Sequence, residues 1–251
     1  MKIWLAGKTA LVTGGSGGIG ESCVRLLRNS GAAVFFTYHK NKAAAKRIAG
    51  ETASEMIECD AARAEQCRLA AERACVKSGR IDILVNCAGI YLDAPAGGKD
   101  FLKTWKRVRE VNLDSCFHFA HFVIPHMRER GGKIINISST GAVQGTSEAA
   151  AYHSSKAGLD GLTRALAVEL ASANIQVNSV NPGPTATSMW DADDPSEESP
   201  DEIAKLIPAR RFAKPDEVAY VVVFLASKFA DYITGQSIFV DGGLSVNVFK
   251  Q

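Results

Sequence analysis

No apolar run in these 251 residues approaches the roughly 20 that a membrane-spanning helix needs, so no span is expected. The opening residues, Met1-Lys2-Ile3-Trp4-Leu5-Ala6-Gly7-Lys8, have no extended apolar core, and no secretory signal is expected from them. Charge of one sign is missing too. Lys+Arg 29 against Asp+Glu 27 leaves a net +2, which gives no support to a nucleic-acid or anionic-membrane partner. The six cysteines, at 23, 59, 67, 75, 87 and 116, include no CxxC pair. Reduced, mostly buried thiols are expected rather than zinc or disulfides, so the cytoplasm is the expected compartment and no metal is expected. Repeats and linkers are absent as well. With 46% hydrophobic and 22% charged residues, the chain is not disordered.

What is present is a steady alternation. Short, continuously apolar runs at Thr9–Thr13, Val34–Tyr38, Met56–Cys59, Ile83–Asn86, Lys133–Ile137, Gln176–Asn181 and Ser237–Val240 read as strands buried on both faces. Between them Ile19–Asn29, Lys42–Gly50, Ala64–Ser78, Phe101–Arg130, Ala150–Ala173 and Asp216–Ala226 read as helices. This order predicts an α/β fold: a Rossmann-type, doubly wound parallel sheet of about seven strands with helices on both faces. Residues 1–251 are expected to form a single domain. One stretch departs from the pattern. Seven of the twelve residues from Asp191 to Glu202 are acidic and two are proline, which predicts a solvated, mobile segment. It is either a tolerated surface insertion or a lid over a ligand site.

The first strand runs into Gly14-Gly15-Ser16-Gly17-Gly18-Ile19-Gly20, and a helix follows. Glycines at such a turn let the backbone approach an anion, and the helix N-terminus directs free N–H groups and its positive dipole end toward a phosphate. Placement between a first strand and a first helix gives the glycines their weight.

Thr13-Gly14-x-x-x-Gly18-Ile19-Gly20 resembles the cofactor signature of the short-chain dehydrogenase/reductase family. Further resemblances come in the family's order along essentially the whole chain. Asn86-Cys87-Ala88-Gly89 is similar to the family's Asn-Asn-Ala-Gly, with Cys87 in place of the second Asn. Ser139 and Tyr152-x-x-x-Lys156 look like the catalytic Ser and the YxxxK motif. Pro182-Gly183-x-x-x-Thr187 and Asp241-Gly242-Gly243 match later signatures. The resemblance implies a hydride exchange between a nicotinamide cofactor and a ketone or secondary alcohol.

The residue types suit that chemistry. Tyr152 and Lys156 are one helical turn apart and face the same way. Tyrosine with its ordinary pKa near ~10 is a poor proton carrier at neutral pH, and a neighbouring ammonium favours the phenolate. Alone, such a pair is more often a packed ring beside a snorkelling lysine. Ser139 lies at a strand's C-terminal end, where open α/β sheets build their sites, and its hydroxyl can polarise a carbonyl. Ser138 competes for this role; the family's spacing selects Ser139, leaving Ser138 to backbone bonding. The family resemblance gives Asn112 a part in a proton relay from the lysine, against the alternative of a solvated Asn on a helix face.

The cofactor reading places the pyrophosphate at Gly14, Ser16, Gly18, Ile19 and Gly20, the ribose against Tyr38, His39 and Lys40, and the nicotinamide side near Tyr152 and Lys156. By resemblance Asp60 and Ala61 meet the adenine, with a helix N-cap at Asp60 as the alternative. Asn86, Ala88, Gly89, Pro182, Gly183, Thr185 and Thr187 complete the set in the same way. No acid stands at the end of the second strand, where NAD enzymes carry one for the ribose 2′-hydroxyl. Tyr38, His39 and Lys40 stand there instead, so NADP(H) is favoured over NAD(H).

For substrate, Tyr91, Ser139, Gln144, Tyr152, Met189 and Trp190 are the expected contacts, the last two on the inner face of a lid spanning 188–210. The favoured function is a carbonyl reductase like the 3-oxoacyl-[acyl-carrier-protein] reductases. Ala173 stands where those reductases carry a basic residue, and the acidic segment would repel an acidic partner, which speaks against an acyl carrier protein. The alternatives are an NAD-dependent catabolic dehydrogenase of a secondary alcohol, sugar or polyol, and a nucleotide-binding sensor or scaffold. The resemblance also implies a homotetramer built on the long helices.

Overall fold

The computed structural model describes residues 3–188 and 200–247. Met189, Trp190 and most of the acidic stretch lie outside the described residues. Seven strands form one parallel sheet: β1 (Thr9–Val12), β2 (Ala33–Tyr38), β3 (Glu55–Glu58), β4 (Ile83–Asn86), β5 (Gly132–Ile137), β6 (Ile175–Pro182) and β7 (Ser237–Val240). Their spatial order is β3-β2-β1-β4-β5-β6-β7. The chain therefore winds outward from β1 in one direction, returns, and winds outward in the other. A crevice opens where the direction reverses, between β1 and β4, at the C-terminal ends of the strands.

Among the described residues eight helices make the crossovers: α1 (Gly18–Asn29), α2 (Lys42–Thr52), α3 (Ala64–Ser78), α4 (Phe101–Arg109), α5 (Ser115–Met127), α6 (Ala150–Leu170), α7 (Pro200–Leu206) and α8 (Pro215–Leu225). Side chains of a strand alternate between faces, and each face here has its own core. Ala10, Val12, Val34, Phe36, Ile83, Val85, Ile135 and Val180 pack with Val24 and Leu27 of α1 and Val218 and Val222 of α8. Leu11, Phe35, Leu84, Ile134 and Val177 pack on the other face with Cys67 and Ala71 of α3, Phe119 and Val123 of α5, and Leu170 of α6. Apolar residues at successive strand positions thus serve two layers at once. Cys23, Cys59, Cys67, Cys75 and Cys116 are buried and Cys87 half-buried, all as free thiols. Among the described residues, no helix is long and apolar enough to cross a membrane.

Two elements differ from expectation. The helix predicted over Phe101–Arg130 is interrupted by a five-residue π-helical turn, Glu110–Asp114, between α4 and α5. The wider turn carries Asn112 into the interior, where it has no exposed surface; the apolar periodicity runs on through it and hides it. The lid predicted over 188–210 contains α7, which starts at Pro200 with Asp201 and Glu202 in its first turn, the favoured end for proline and acids. Ile207 is buried behind it, so the second half of that segment is helical and packed onto the fold.

Candidate active site

The glycine turn after β1 is shaped by close approaches. Gly14 and Gly18 have φ of +68° and +54°, in the left-handed region that favours glycine. A Cβ on Gly14 would lie 2.8 Å from the Ala88 Cα, and one on Gly20 only 2.2 Å from the Gly14 carbonyl oxygen. Gly14 N–H donates to Thr37 Oγ1 at 3.1 Å, and Gly15 N–H to Thr37 O at 2.9 Å. Thr13, a buried residue to which the sequence motifs assign no role of its own, accepts both Cys87 N–H (2.9 Å) and Ala88 N–H (3.0 Å). It thereby ties the turn to the loop after β4. Gly17 caps α1 without any side-chain bond, which leaves the first N–H groups of the helix for an anion. Thr187, after β6, faces the turn: a Cβ on Gly18 would lie 3.1 Å from its Cγ2. Ser16 is half-buried, and the Ile19 side chain packs on the core, so Ile19 offers only backbone. The residues of the turn fit a bound pyrophosphate.

At the end of β2, Tyr38 is 4% exposed and its hydroxyl lies 3.1 Å from Glu58 Oε2. Burial, then the Glu58 carboxylate, pushes its pKa up. His39 and Lys40 are exposed, with His39 Nε2 4.0 Å from Asp60 Oδ2. Asp60 is not a helix N-cap, since Arg63 holds that position on α3. Its Oδ1 accepts Ala62 N–H at 3.1 Å and Arg107 Nη2 at 3.3 Å. Burial opposes its ionisation, but the Ala62 N–H and the Arg107 guanidinium outweigh burial and hold the carboxyl below its ordinary value. Ala61 is buried beside it.

Asn86, expected among the cofactor contacts, has a side chain that is 1% exposed and donates to Asn136 Oδ1 at 2.8 Å. Asn136 in turn donates to Thr163 Oγ1 at 2.9 Å. These buried amides bond β4 to β5 and β5 to α6. Asn112, expected in a proton relay, is tied to two elements. Its Oδ1 accepts Ile90 N–H (2.8 Å), and its Nδ2 donates to Ile90 O (2.9 Å) and Ser155 Oγ (3.2 Å). These bonds hold the loop Gly89–Ile90 against α6.

Lys156, on the same face of α6 as Tyr152, is 5% exposed. Its Nζ donates to Ile137 O at 2.9 Å and lies 5.7 Å from the centroid of the Tyr152 ring. Gly89 sits beside it: a Cβ there would be 3.6 Å from both Lys156 Nζ and Asn112 Oδ1. Ser138 is buried and donates to Lys156 O at 3.3 Å, a backbone bond as expected. Ser139 Oγ accepts Gly141 N–H at 3.0 Å, which leaves its own proton to give. Ser139 O accepts from Asn181 Nδ2 (3.2 Å), and that amide also donates to Asp160 Oδ2 at 2.8 Å. Asp160, buried on α6, carried no sequence signal beyond a charge on an apolar face.

Tyr91 lies edge-on to Tyr152 with ring centroids 4.9 Å apart. Burial, then the bond to Asp93, pushes its pKa up to about 12, so it stays a neutral phenol at any ordinary pH. Gln144 is exposed, and its amide donates to Leu244 O at 3.3 Å, a tie to the C-terminal segment. After β6, Pro182 and Thr185 are buried, Gly183 N–H donates to Val240 O at 3.1 Å, and Thr185 Oγ1 donates to Gly183 O at 2.9 Å.

Residues 14–245 match a family model described as Enoyl-(Acyl carrier protein) reductase. The chain is 36% identical over 260 residues to the 3-oxoacyl-[acyl-carrier-protein] reductase FabG of Thermotoga maritima, covering 96% of this chain and 99% of that protein. A solved short-chain dehydrogenase/reductase of Serratia marcescens superposes with a TM-score of 0.90 at 37% identity, covering 96% and 99% of the two chains. A blue fluorescent protein from a metagenomic library, solved in complex with NADPH, superposes with a TM-score of 0.89 at 36% identity, covering 96% and 98%. A doubly wound sheet with a glycine turn at its switch point is the arrangement that dinucleotide-dependent oxidoreductases use. The chain belongs to the short-chain dehydrogenase/reductase family. It is an NAD(P)-dependent enzyme that exchanges a hydride with a ketone or secondary alcohol.

Proposed function

We propose that this enzyme is an NADPH-preferring carbonyl reductase with Ser139, Tyr152 and Lys156 as its reacting set. The observation that carries the proposal is the meeting of these three at the C-terminal end of β5, with Lys156 Nζ 5.7 Å from the Tyr152 ring. Bound NADPH supplies the hydride. Ser139 donates its free proton to the substrate carbonyl and fixes its orientation. Tyr152 gives its proton to the oxygen as negative charge develops there. Lys156 stabilises the charge left on the phenolic oxygen. Asn112 acts as a positioning residue, holding Ile90 and with it the Ala88–Gly89 backbone. Tyr91 closes the substrate side against Tyr152.

The glycine turn and Thr187 would hold the pyrophosphate, Asp60 and Ala61 the adenine, and the backbone around Gly183–Thr185 the carboxamide. No carboxylate ends β2, and Glu58 and Asp60 are engaged with Tyr38 and Arg107. The exposed His39 and Lys40 are left to meet a 2′-phosphate. The NADPH-bound relative supports the same preference. Tryptophan quenching during titration with each nucleotide tests it. NADPH is expected to bind at least about tenfold more tightly, a difference of about 1.4 kcal/mol; equal or tighter binding of NADH overturns the assignment.

The proposal extends to a cytoplasmic homotetramer. Half-exposed Phe117 lines a shallow groove between α5 and α6 with His121, Ile124, Pro125 and Leu166, which supports self-association through this face. A monomer in size-exclusion chromatography with light scattering would sink it, as would recovery of the chain outside the cytosolic fraction.

A further inference from the structure

His153, the residue after Tyr152, touches neither the glycine turn nor Lys156, yet both of its ring nitrogens are engaged. Nε2 accepts Thr146 N–H at 2.9 Å, and a backbone N–H can only donate. Nε2 therefore carries no proton, and Nδ1 does. That Nδ1–H donates to Gly141 O at 2.8 Å. Thr146 Oγ1 also lies 2.8 Å from Nε2. One neutral tautomer thus spans both ends of the segment from Gly141 to Thr146.

Gly141 is pressed into place by the same helix. A Cβ on it would lie 2.9 Å from His153 Nδ1 and 3.1 Å from Tyr152 Cε1. Its carbonyl is taken by His153, and its N–H donates to Ser139 Oγ at 3.0 Å. At the far end, both the backbone N–H and the hydroxyl of Thr146 meet His153 Nε2. Gly141 is therefore the link between the imidazole and the serine hydroxyl.

We propose that His153 is a positioning residue for the reaction: by gripping Gly141 and Thr146 it fixes the Ser139 hydroxyl relative to Tyr152. The proposal holds only if Ser139 and Tyr152 are the reacting groups assigned above. Misplacement of a reacting group by about 1 Å can cost on the order of 100-fold in rate, so a grip of this kind shows in kcat.

The test compares two substitutions in the full chain, with NADPH and a panel of small ketones headed by ethyl acetoacetate. His153→Phe keeps a ring of similar size and loses both bonds. His153→Gln keeps one donor and one acceptor on a side chain of similar reach. The Phe variant is expected to lose about 10- to 100-fold in kcat, with its NADPH dissociation constant within about twofold of the native chain, and the Gln variant to recover to within about threefold. The inference is overturned if the Phe variant keeps kcat within about twofold, or if Gln and Phe fall equally and both lose thermal stability, which is the signature of packing alone. Tyr152→Phe, measured beside them, separates the layers. Turnover surviving that substitution condemns the assignment of the reacting groups, whatever His153 does.

Discussion

Tyr152→Phe is expected to reduce kcat by about 10²- to 10⁴-fold, the range that a positioned general acid contributes, while NADPH still quenches tryptophan fluorescence at its native concentration. Only the hydroxyl is removed. The ring keeps its edge contact with Tyr91 at 4.9 Å and its seat against Gly141, so the pocket keeps its shape. Ser139 and Lys156 retain their bonds to Gly141 N–H and Ile137 O, which leaves carbonyl polarisation intact and proton delivery missing. A sensor or scaffold on the same fold would be indifferent to the change. Retained turnover would therefore move the proton donor to another group, and lost nucleotide binding would mean that the tyrosine serves the cofactor site first.

The second large effect belongs to Gly20→Ala. The added methyl would lie 2.2 Å from the Gly14 carbonyl oxygen, and the atom it meets is backbone, so the turn itself must move. Overpacking of this kind costs about 1–3 kcal/mol. Set against about 1.4 kcal/mol per tenfold of affinity, it predicts cofactor binding roughly 5- to 150-fold weaker. The loss should appear as a raised dissociation constant for NADPH and NADH alike, because the pyrophosphate is common to both. Unchanged affinity for both would show that the turn does not seat the pyrophosphate.

Much of this site was legible in the sequence because its parts are punctuated locally. Glycines at 14, 18 and 20 sit where a strand meets a helix, and Tyr152 and Lys156 stand four positions apart. What escaped was set by contacts distant in the chain. Asn86 reads like a loop residue at a strand's end, but Asn136 on the next strand draws its amide inward. Asn112 reads as one polar residue on a long helix, and only the π-helical turn shows that it faces Ile90. Gln144 reads as a pocket residue, and its tie to Leu244, 100 positions on, carries no local signal. α7 does carry a local signal: a proline followed by two acids is a good helix start, here obscured by the acidic run before it.

The order of the strands also decides what can be altered separately. Everything assigned to the adenosine end comes from β1 to β3 and the turns after them, in the first quarter of the chain. The reacting set comes from β5 onward. Arg107 on Asp60 is one of the few side-chain ties across that division near the crevice. On the proposed assignment, coenzyme choice and substrate choice are thus written in different lengths of the gene. Exchange of residues 38–42 for those of a relative can change which coenzyme is used while leaving Ser139, Tyr152 and Lys156 where they stand, and a recombination point between β3 and β4 would trade the two properties as whole units.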